Sequence, residues 1–122
     1  MAQHVLVIDD DPDVCTTLSF RLESFGYVMT SAYDGTDGFA KANELKPDLI
    51  FLDVGLGKES GLDVLKRLKT EASREVRKIP VIMLTGNEEL HKQCLGAGAA
   101  GYITKPFDLF QLKEILSNHL SK

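Results

Sequence analysis

Tryptophan is absent from the sequence, and cysteine and proline are scarce, with two and four residues. The two cysteines, Cys15 and Cys94, are too few for the disulfide framework of a small secreted protein, so we expect them to be apolar core residues. No apolar run approaches the roughly 18 residues that a membrane-spanning helix needs. The first residues lead into a strand-like run without the basic and apolar segments of a signal peptide. We therefore expect a cytoplasmic protein without a membrane span.

Basic residues are in the minority, because 14 Lys and Arg stand against 18 Asp and Glu and leave a formal net charge of −4. This balance provides no positive surface for direct contact with nucleic acid or an anionic membrane. The length of 122 residues, with 43% hydrophobic and 26% charged residues, is typical of one globular domain. We predict a single domain over residues 1–122 and no second domain.

Short apolar runs without alternation predict strands that are buried on both faces. They lie at residues 5–8, 27–32, 49–52, 81–84 and 100–104. Amphipathic segments predict helices around residues 12–25, 34–46, 62–68, 87–95 and 109–120. Strands that alternate with helices indicate a parallel sheet covered by helices on both faces. The sequence therefore predicts an α/β fold with five βα units in one doubly wound domain.

Local signals bound several of these helices. Asp11 as N-cap and Pro12 as first residue begin the first helix, and Gly26 ends it. Asp108 and Gln111 have the spacing of a capping box at the last helix. The charged stretch 70–78 is interpreted as a solvated loop or an extension of the third helix.

Polar side chains follow four of the five predicted strands: Asp9 and Asp10, Asp53, Thr85, and Lys105. The carboxyl ends of parallel strands meet at one edge of the sheet, where ligands bind in open α/β folds. Converging carboxylates repel one another, and a hard cation such as Mg²⁺ would offset that repulsion. Carboxylates, Mg²⁺, an ammonium and a hydroxyl suit phosphoryl transfer, in which a carboxylate can itself accept the phosphoryl group.

Four segments together resemble the receiver domain of response regulators: VLVIDDDP (5–12), PDLIFLD (47–53), IMLTG (82–86) and GYITKPF (101–107). The resemblance covers essentially the whole chain. It implies a flavodoxin-like sheet with strand order 2-1-3-4-5. It also implies a regulatory phosphoacceptor domain of a two-component system, which is not an enzyme in its own right. Its phosphoryl donor would be a histidine kinase or a histidine phosphotransfer protein.

The resemblance also implies a role for each matching residue. Asp53 would be the phosphoacceptor, and Thr85 and Lys105 would bind phosphoryl oxygens. Mg²⁺, with Mn²⁺ as the alternative ion, would be held by Asp9, Asp10, Asp53 and the backbone carbonyl of Gly55. Tyr102 would be the aromatic switch that follows Thr85, and the Lys105–Pro106 peptide bond would be cis. The fourth helix, fifth strand and fifth helix would form the face that controls a downstream protein target or a phosphorylation-dependent homodimer. Candidate contacts for the kinase are Val14, Leu18, Pro106 and Phe107, with a core position as the alternative for Leu18.

The chain departs from the family pattern after Asp53. Receiver domains often carry Met-Pro at the third and fourth following positions, where this chain has Leu56-Gly57. A glycine-rich loop without proline is predicted to be more mobile, which leaves the phosphoryl lifetime open. Two alternatives also stay open. One is a phosphatase of the haloacid dehalogenase type, and the other is a degenerate receiver that binds partners without phosphate.

Overall fold

A five-stranded parallel sheet forms the centre of the computed structural model, which describes residues 3–120. The ends of the predicted domain, residues 1–2 and 121–122, lie outside the described residues. The sheet order is β2-β1-β3-β6-β7, and β4 and β5 form a separate antiparallel hairpin. The order 2-1-3-4-5 predicted for the five main strands is therefore confirmed. The strands are β1 (His4–Ile8), β2 (Val28–Ala32), β3 (Leu49–Asp53), β4 (Gly55–Leu56), β5 (Glu59–Ser60), β6 (Val81–Thr85) and β7 (Gly101–Thr104).

Helices cover both faces of this sheet. The predicted fourth helix is divided into a 3₁₀ turn, Glu88–Leu90, and a short α-helix. The α-helices are α1 (Pro12–Ser24), α2 (Gly35–Leu45), α3 (Gly61–Thr70), α4 (Arg74–Arg77), α5 (His91–Gly96) and α6 (Leu109–His119). Among the described residues no helix is both long and apolar enough to cross a bilayer.

The structure confirms the predicted ends of α1 and the predicted start of α6. The Asp11 carboxylate accepts a hydrogen bond of 2.9 Å from the Asp13 amide, and Pro12 begins α1. Gly26 follows the end of α1 with φ of +91°, a conformation that glycine adopts without strain. Asp108 and Gln111 form both hydrogen bonds of the capping box at α6. These ends are decided by neighbouring residues, which explains why the sequence predicts them.

The strands bury side chains on both faces, as their uninterrupted apolar runs predict. Leu6 and Ile8 point into one core layer, under α2 and α3, while Val5 and Val7 point into the other, under α1 and α6. Every residue of β3 and β6 is buried. Burial of a large apolar side chain stabilises the fold by about 1.5–3 kcal/mol. These two layers therefore hold the strand ends in a rigid arrangement.

Two interpretations need correction. The stretch 70–78 is neither a simple loop nor an extension of α3, because α4 interrupts it and buries Val76 together with Ala72 in the core. Leu18, a candidate kinase contact, is fully buried between α1 and the sheet. Its place in the 3.6-residue apolar stripe of α1 is the physical reason.

Candidate functional site

The polar residues that follow the strands meet at one edge of the sheet. Asp9 and Asp10 follow β1, Asp53 ends β3, Thr85 ends β6 and Lys105 follows β7. Parallel register brings these ends together, because β3 pairs with both β1 and β6. The Lys105 amide also donates a 2.7 Å hydrogen bond to the Thr85 carbonyl. The structure thus places the predicted residues around a single rim.

Three carboxylates and one ammonium form the centre of this rim. Carboxylate oxygens of Asp9, Asp10 and Asp53 lie within 4.8 Å of one another. The Lys105 ammonium lies 3.0 Å from Asp9 Oδ2 and 3.3 Å from Asp53 Oδ1. Asp9 is fully buried and Asp53 is 8% exposed, whereas Asp10 faces solvent. Lys105 therefore bridges the two buried carboxylates, Asp9 and Asp53.

Both oxygens of Asp9 already have hydrogen-bond partners. Oδ1 accepts a 3.0 Å hydrogen bond from the Asp11 amide, and Oδ2 accepts one from Lys105. The solvent-facing carboxylate of Asp10 is the more accessible of the two. This difference favours Asp10 over Asp9 as a direct ligand to a cation.

Burial and neighbouring charges at the rim shift the pKa values of two ionisable groups, Asp53 and Lys105. Burial and the charge of Asp9 raise the pKa of Asp53 from 3.8 to about 6, against the opposing effect of Lys105. Burial disfavours the charged form of Lys105, but its hydrogen bond to Asp9 and the charge of Asp53 outweigh this and raise the pKa of Lys105. The negative charge of the site therefore stabilises the protonated form of Lys105.

This donor set fits a hard divalent cation. Three carboxylates and one ammonium carry a formal charge of −2 when all are ionised, and Mg²⁺ prefers oxygen ligands. Gly55 also lies beside the cluster, because its amide donates a 3.3 Å hydrogen bond to Asp53 Oδ1. Mg²⁺ and the residues at this rim are therefore chemically matched.

The hydroxyl of Thr85 is engaged with Asn87 in this structure. Thr85 Oγ1 donates to the Asn87 carbonyl over 3.2 Å and accepts from the Asn87 amide over 3.0 Å. Thr85 is only 3% exposed. The sequence reasoning missed this contact with the backbone of Asn87, although a threonine hydroxyl that bonds the backbone two residues further on is a known turn pattern. A phosphoryl oxygen would have to compete with Asn87 for this hydroxyl.

Tyr102 is stacked on His91. Their ring centroids are 3.6 Å apart, and His91 Nε2 also lies 3.5 Å from the Thr104 hydroxyl. Tyr102 is 37% exposed, so it occupies an outward position. Sequence reasoning assigned no role to His91, and no local signal links two residues on different elements.

A shallow apolar groove lies beside the acidic rim, between α1 and the turn after β7. It has a volume of about 420 Å³, and the Lys105–Pro106 peptide bond on its wall is cis. Three of the four predicted kinase contacts line it, whereas Leu18 is in the core. The lining residues are Asp13, Val14, Thr17, Lys105, Pro106 and Phe107.

Comparison with known proteins decides the family. A family model described as the response regulator receiver domain matches residues 5–117. The chain belongs to this family. A receiver domain is a regulatory phosphoacceptor domain of two-component signalling and not an enzyme in the usual sense. The haloacid dehalogenase alternative is thereby left without support.

Individual relatives agree with this assignment. The receiver domain is 41% identical over 111 residues to the DNA-binding dual master transcriptional regulator RpaA of Synechocystis sp., a match that covers 89% of this chain and 45% of that protein. The chain thus spans less than half the length of that relative. A putative response regulator from Chloroflexus aurantiacus superimposes with a TM-score of 0.92 at 27% identity, and each chain is fully covered.

A third relative bears on the metal. The receiver domain of the sensor histidine kinase PA1611 from Pseudomonas aeruginosa has 29% identity and a TM-score of 0.88, with 98% of each chain covered. Its structure holds a magnesium ion in the active-site cleft. Magnesium binding is a general feature of receiver domains, and this receiver domain has an acidic cluster suited to it.

Proposed function

We propose that Asp53 accepts a phosphoryl group from a phosphohistidine of a histidine kinase or of a histidine phosphotransfer protein. The observation that carries this proposal is the convergence of Asp9, Asp10 and Asp53 within 4.8 Å, with Lys105 bound to two of them. Asp53 is the central member, since it lies on β3 between the ends of β1 and β6. It is also the carboxylate that Lys105 and the Gly55 amide orient directly.

The chemistry is a transfer between two nucleophiles. An Asp53 oxygen bonds to phosphorus, the bond between phosphorus and the imidazole nitrogen breaks, and the electron pair leaves with the imidazole. Lys105 binds a phosphoryl oxygen and favours the ionised form of the acceptor carboxylate, against the effects of burial and Asp9. Asp9, Asp10, Asp53 and the Gly55 carbonyl would hold Mg²⁺, or Mn²⁺ as the alternative, with Asp10 favoured over Asp9 as a direct ligand. When bound, this ion neutralises the charge on the transferring phosphoryl group.

The signal leaves the site through Thr85. The Thr85 hydroxyl exchanges its hydrogen bonds with Asn87 for a phosphoryl oxygen, and Tyr102 then moves inward from its outward position. This changes the face formed by α5, β7 and α6, which binds a downstream protein target or a second copy of this chain. The phosphoryl group favours the second state only through its different contacts in that state.

The phosphoryl donor approaches along the groove between α1 and the turn after β7. Val14, Pro106 and Phe107 supply its apolar lining, and Lys105 connects the groove to Asp53. An apolar surface that borders the acceptor carboxylate suits a donor helix that presents its histidine at the rim.

We also propose that residues 1–122 form one receiver domain that acts in the cytoplasm. Two buried free cysteines, Cys15 and Cys94, support a reducing compartment. With a formal net charge of −4, this domain makes no direct contact with nucleic acid.

Intact-protein mass spectrometry after incubation with acetyl phosphate and Mg²⁺ tests the proposal. We expect one added phosphoryl group that Asp53→Asn abolishes, whereas the control Asp63→Asn, an exposed carboxylate on α3, keeps it. A degenerate receiver would gain no phosphoryl group. Catalytic turnover of unrelated phosphate esters would instead indicate a phosphatase.

A further inference from the structure

Glu59 connects the loop after Asp53 to a helix that contributes no residue to the acidic rim. Glu59 lies on β5 of the small hairpin, and its Oε2 accepts a 3.2 Å hydrogen bond from the Gly35 amide at the first residue of α2. A Cβ atom added to Gly35 would collide with the Glu59 carboxylate. The glycine at position 35 therefore allows the close approach of this side chain to the helix backbone.

The hairpin that carries Glu59 also lines the acidic rim. The Gly55 amide contacts Asp53 Oδ1, and the open side of Gly57 faces Asp10, since an added Cβ would lie 3.4 Å from Asp10 Oδ2. One turn of chain thus contacts the proposed phosphoacceptor and lies beside the exposed carboxylate. Its position determines how closely backbone oxygens approach a cation held there.

This hairpin has little intrinsic rigidity. Its two strands have two residues each, and an isolated two-stranded hairpin is at best marginally stable. Gly57 at its tip has φ of +66°. Buried Leu56 holds one strand, and the cross-strand partner of Leu56 is Glu59. The second strand is held at Ser60, which caps α3, and at Glu59, which accepts the hydrogen bond from α2.

The helix at the other end of this contact is firmly placed. Gly38 of α2 packs so closely on β1 that an added Cβ would meet the Ile8 side chain at less than 3 Å. A side-chain oxygen at the N-terminus of a helix also satisfies one of the amides that have no partner within the helix. Glu59 thus links a weakly structured loop to a fixed element.

We infer that Glu59 is a positioning residue that holds the β4–β5 hairpin against Asp10 and Asp53 and thereby sets the affinity for Mg²⁺. The inference rests on the proposed function of the acidic rim as a magnesium site. Positioning requires a hydrogen-bond acceptor at the end of a side chain as long as that of Glu59, and it does not require the negative charge.

Three variants separate the contact from the charge. Glu59→Ala removes the acceptor, Glu59→Asp keeps the charge but shortens the side chain, and Glu59→Gln keeps an acceptor oxygen at the same reach. Glu114→Ala, which removes an exposed carboxylate on α6, is the matched control. Mg²⁺ affinity is measured by calorimetric titration. The amide resonances of Gly35, Gly55 and Gly57 are followed in ¹H–¹⁵N spectra.

We expect Glu59→Ala and Glu59→Asp to bind Mg²⁺ about five- to tenfold more weakly, which is the effect of losing one hydrogen bond. Glu59→Gln and Glu114→Ala should bind within about twofold of wild type. The Gly35 amide proton should move upfield in the two weakened variants, which lose its hydrogen bond, and should stay in the downfield, hydrogen-bonded range in Glu59→Gln. Because Glu59→Asp is a conservative change, it keeps the test valid if Glu59→Ala does not fold.

Two results would overturn the inference alone: wild-type affinity in Glu59→Ala or Glu59→Asp, or an equal loss in Glu59→Gln, which would assign the effect to charge. In both cases the wild-type protein still binds Mg²⁺ and is phosphorylated on Asp53. If the wild-type protein binds no Mg²⁺, the proposed function and this inference fail together.

Discussion

The imidazole ring of His91 lies on the phenol ring of Tyr102, with the ring centroids 3.6 Å apart and an angle of 21° between the ring planes. His91 begins α5 and Tyr102 lies on β7, so the stack joins two elements of the proposed output face. The same structure has the Thr85 hydroxyl bound to Asn87. The outward position of Tyr102 and the hydrogen-bonded hydroxyl of Thr85 therefore belong to one conformation. The proposed phosphorylation must break both the His91–Tyr102 stack and the Thr85–Asn87 hydrogen bond.

The first prediction concerns this stack. Beryllofluoride with Mg²⁺, which mimics the phosphoryl group, should draw Thr85 inward and let Tyr102 leave His91. We expect the ring-current shift of the His91 protons in the ¹H NMR spectrum to be lost in the wild type. Thr85→Ala should still bind the mimic but keep the stack, while the control Thr70→Ala, on the exposed side of α3, behaves like wild type. Loss of the shift in Thr85→Ala as well would show that this threonine does not drive the tyrosine.

The second prediction concerns Asp10. Its carboxylate lies close to two others, so Asp10→Ala removes repulsion in the metal-free protein while it removes a proposed metal ligand. We expect loss of Mg²⁺ binding and of phosphorylation from acetyl phosphate. In chelator the melting temperature should equal that of wild type or exceed it by up to about 4 °C. Phosphorylation at the wild-type rate in saturating Mg²⁺ would rule out Asp10 as a ligand.

The third prediction uses the raised pKa of Asp53. Because burial and Asp9 raise this pKa from 3.8 to about 6, ionisation of Asp53 costs stability in the folded, metal-free protein. The contribution of Asp53 is fully present below its unfolded pKa and is lost as the pH rises through about 6. Asp53→Asn does not ionise, so its stability advantage over wild type should grow between pH 4 and pH 7. The largest expected change in this difference in unfolding free energy is about 3 kcal/mol, which corresponds to the pKa shift from 3.8 to about 6.

Urea unfolding in chelator at several pH values measures this difference. Below pH 3.5 the two proteins should differ little, and Glu114→Gln, which neutralises an exposed carboxylate on α6, provides a second reference. A difference in unfolding free energy that stays constant at all pH values would mean that Asp53 has an ordinary pKa in the folded protein. Burial and Asp9 would then not destabilise its ionised form.

The fourth prediction concerns the groove. Val14 lines it with an apolar side chain that has no charge or metal-binding group, so Val14→Ser should weaken donor docking and leave the chemistry intact. We expect phosphoryl transfer from the histidine kinase that is most active on the wild type to fall at least about tenfold, the effect of about 1.4 kcal/mol. Phosphorylation by acetyl phosphate should change by less than about twofold. Equal losses with both donors would contradict a docking role for the groove.

The sequence alone determined the five strands of the main sheet, several helix ends and the residues of the rim, but not the β4–β5 hairpin. The runs before Asp9 and Asp53 are apolar on both faces of their strands, and a parallel sheet brings such strand ends to one edge. Asp11 and Asp108 cap helices through residues two or three positions away. These features depend on periodicity and on near neighbours, which a single sequence displays.

Tertiary structure alone decided the contacts that connect distant elements. His91 meets Tyr102, and Glu59 meets Gly35, only because α5, β7, the hairpin and α2 pack around one sheet. Val76 enters the core for the same reason, although its surroundings in the sequence are charged. Such contacts depend on the relative placement of elements and on side-chain rotamers, which the whole packed core sets and no local pattern records.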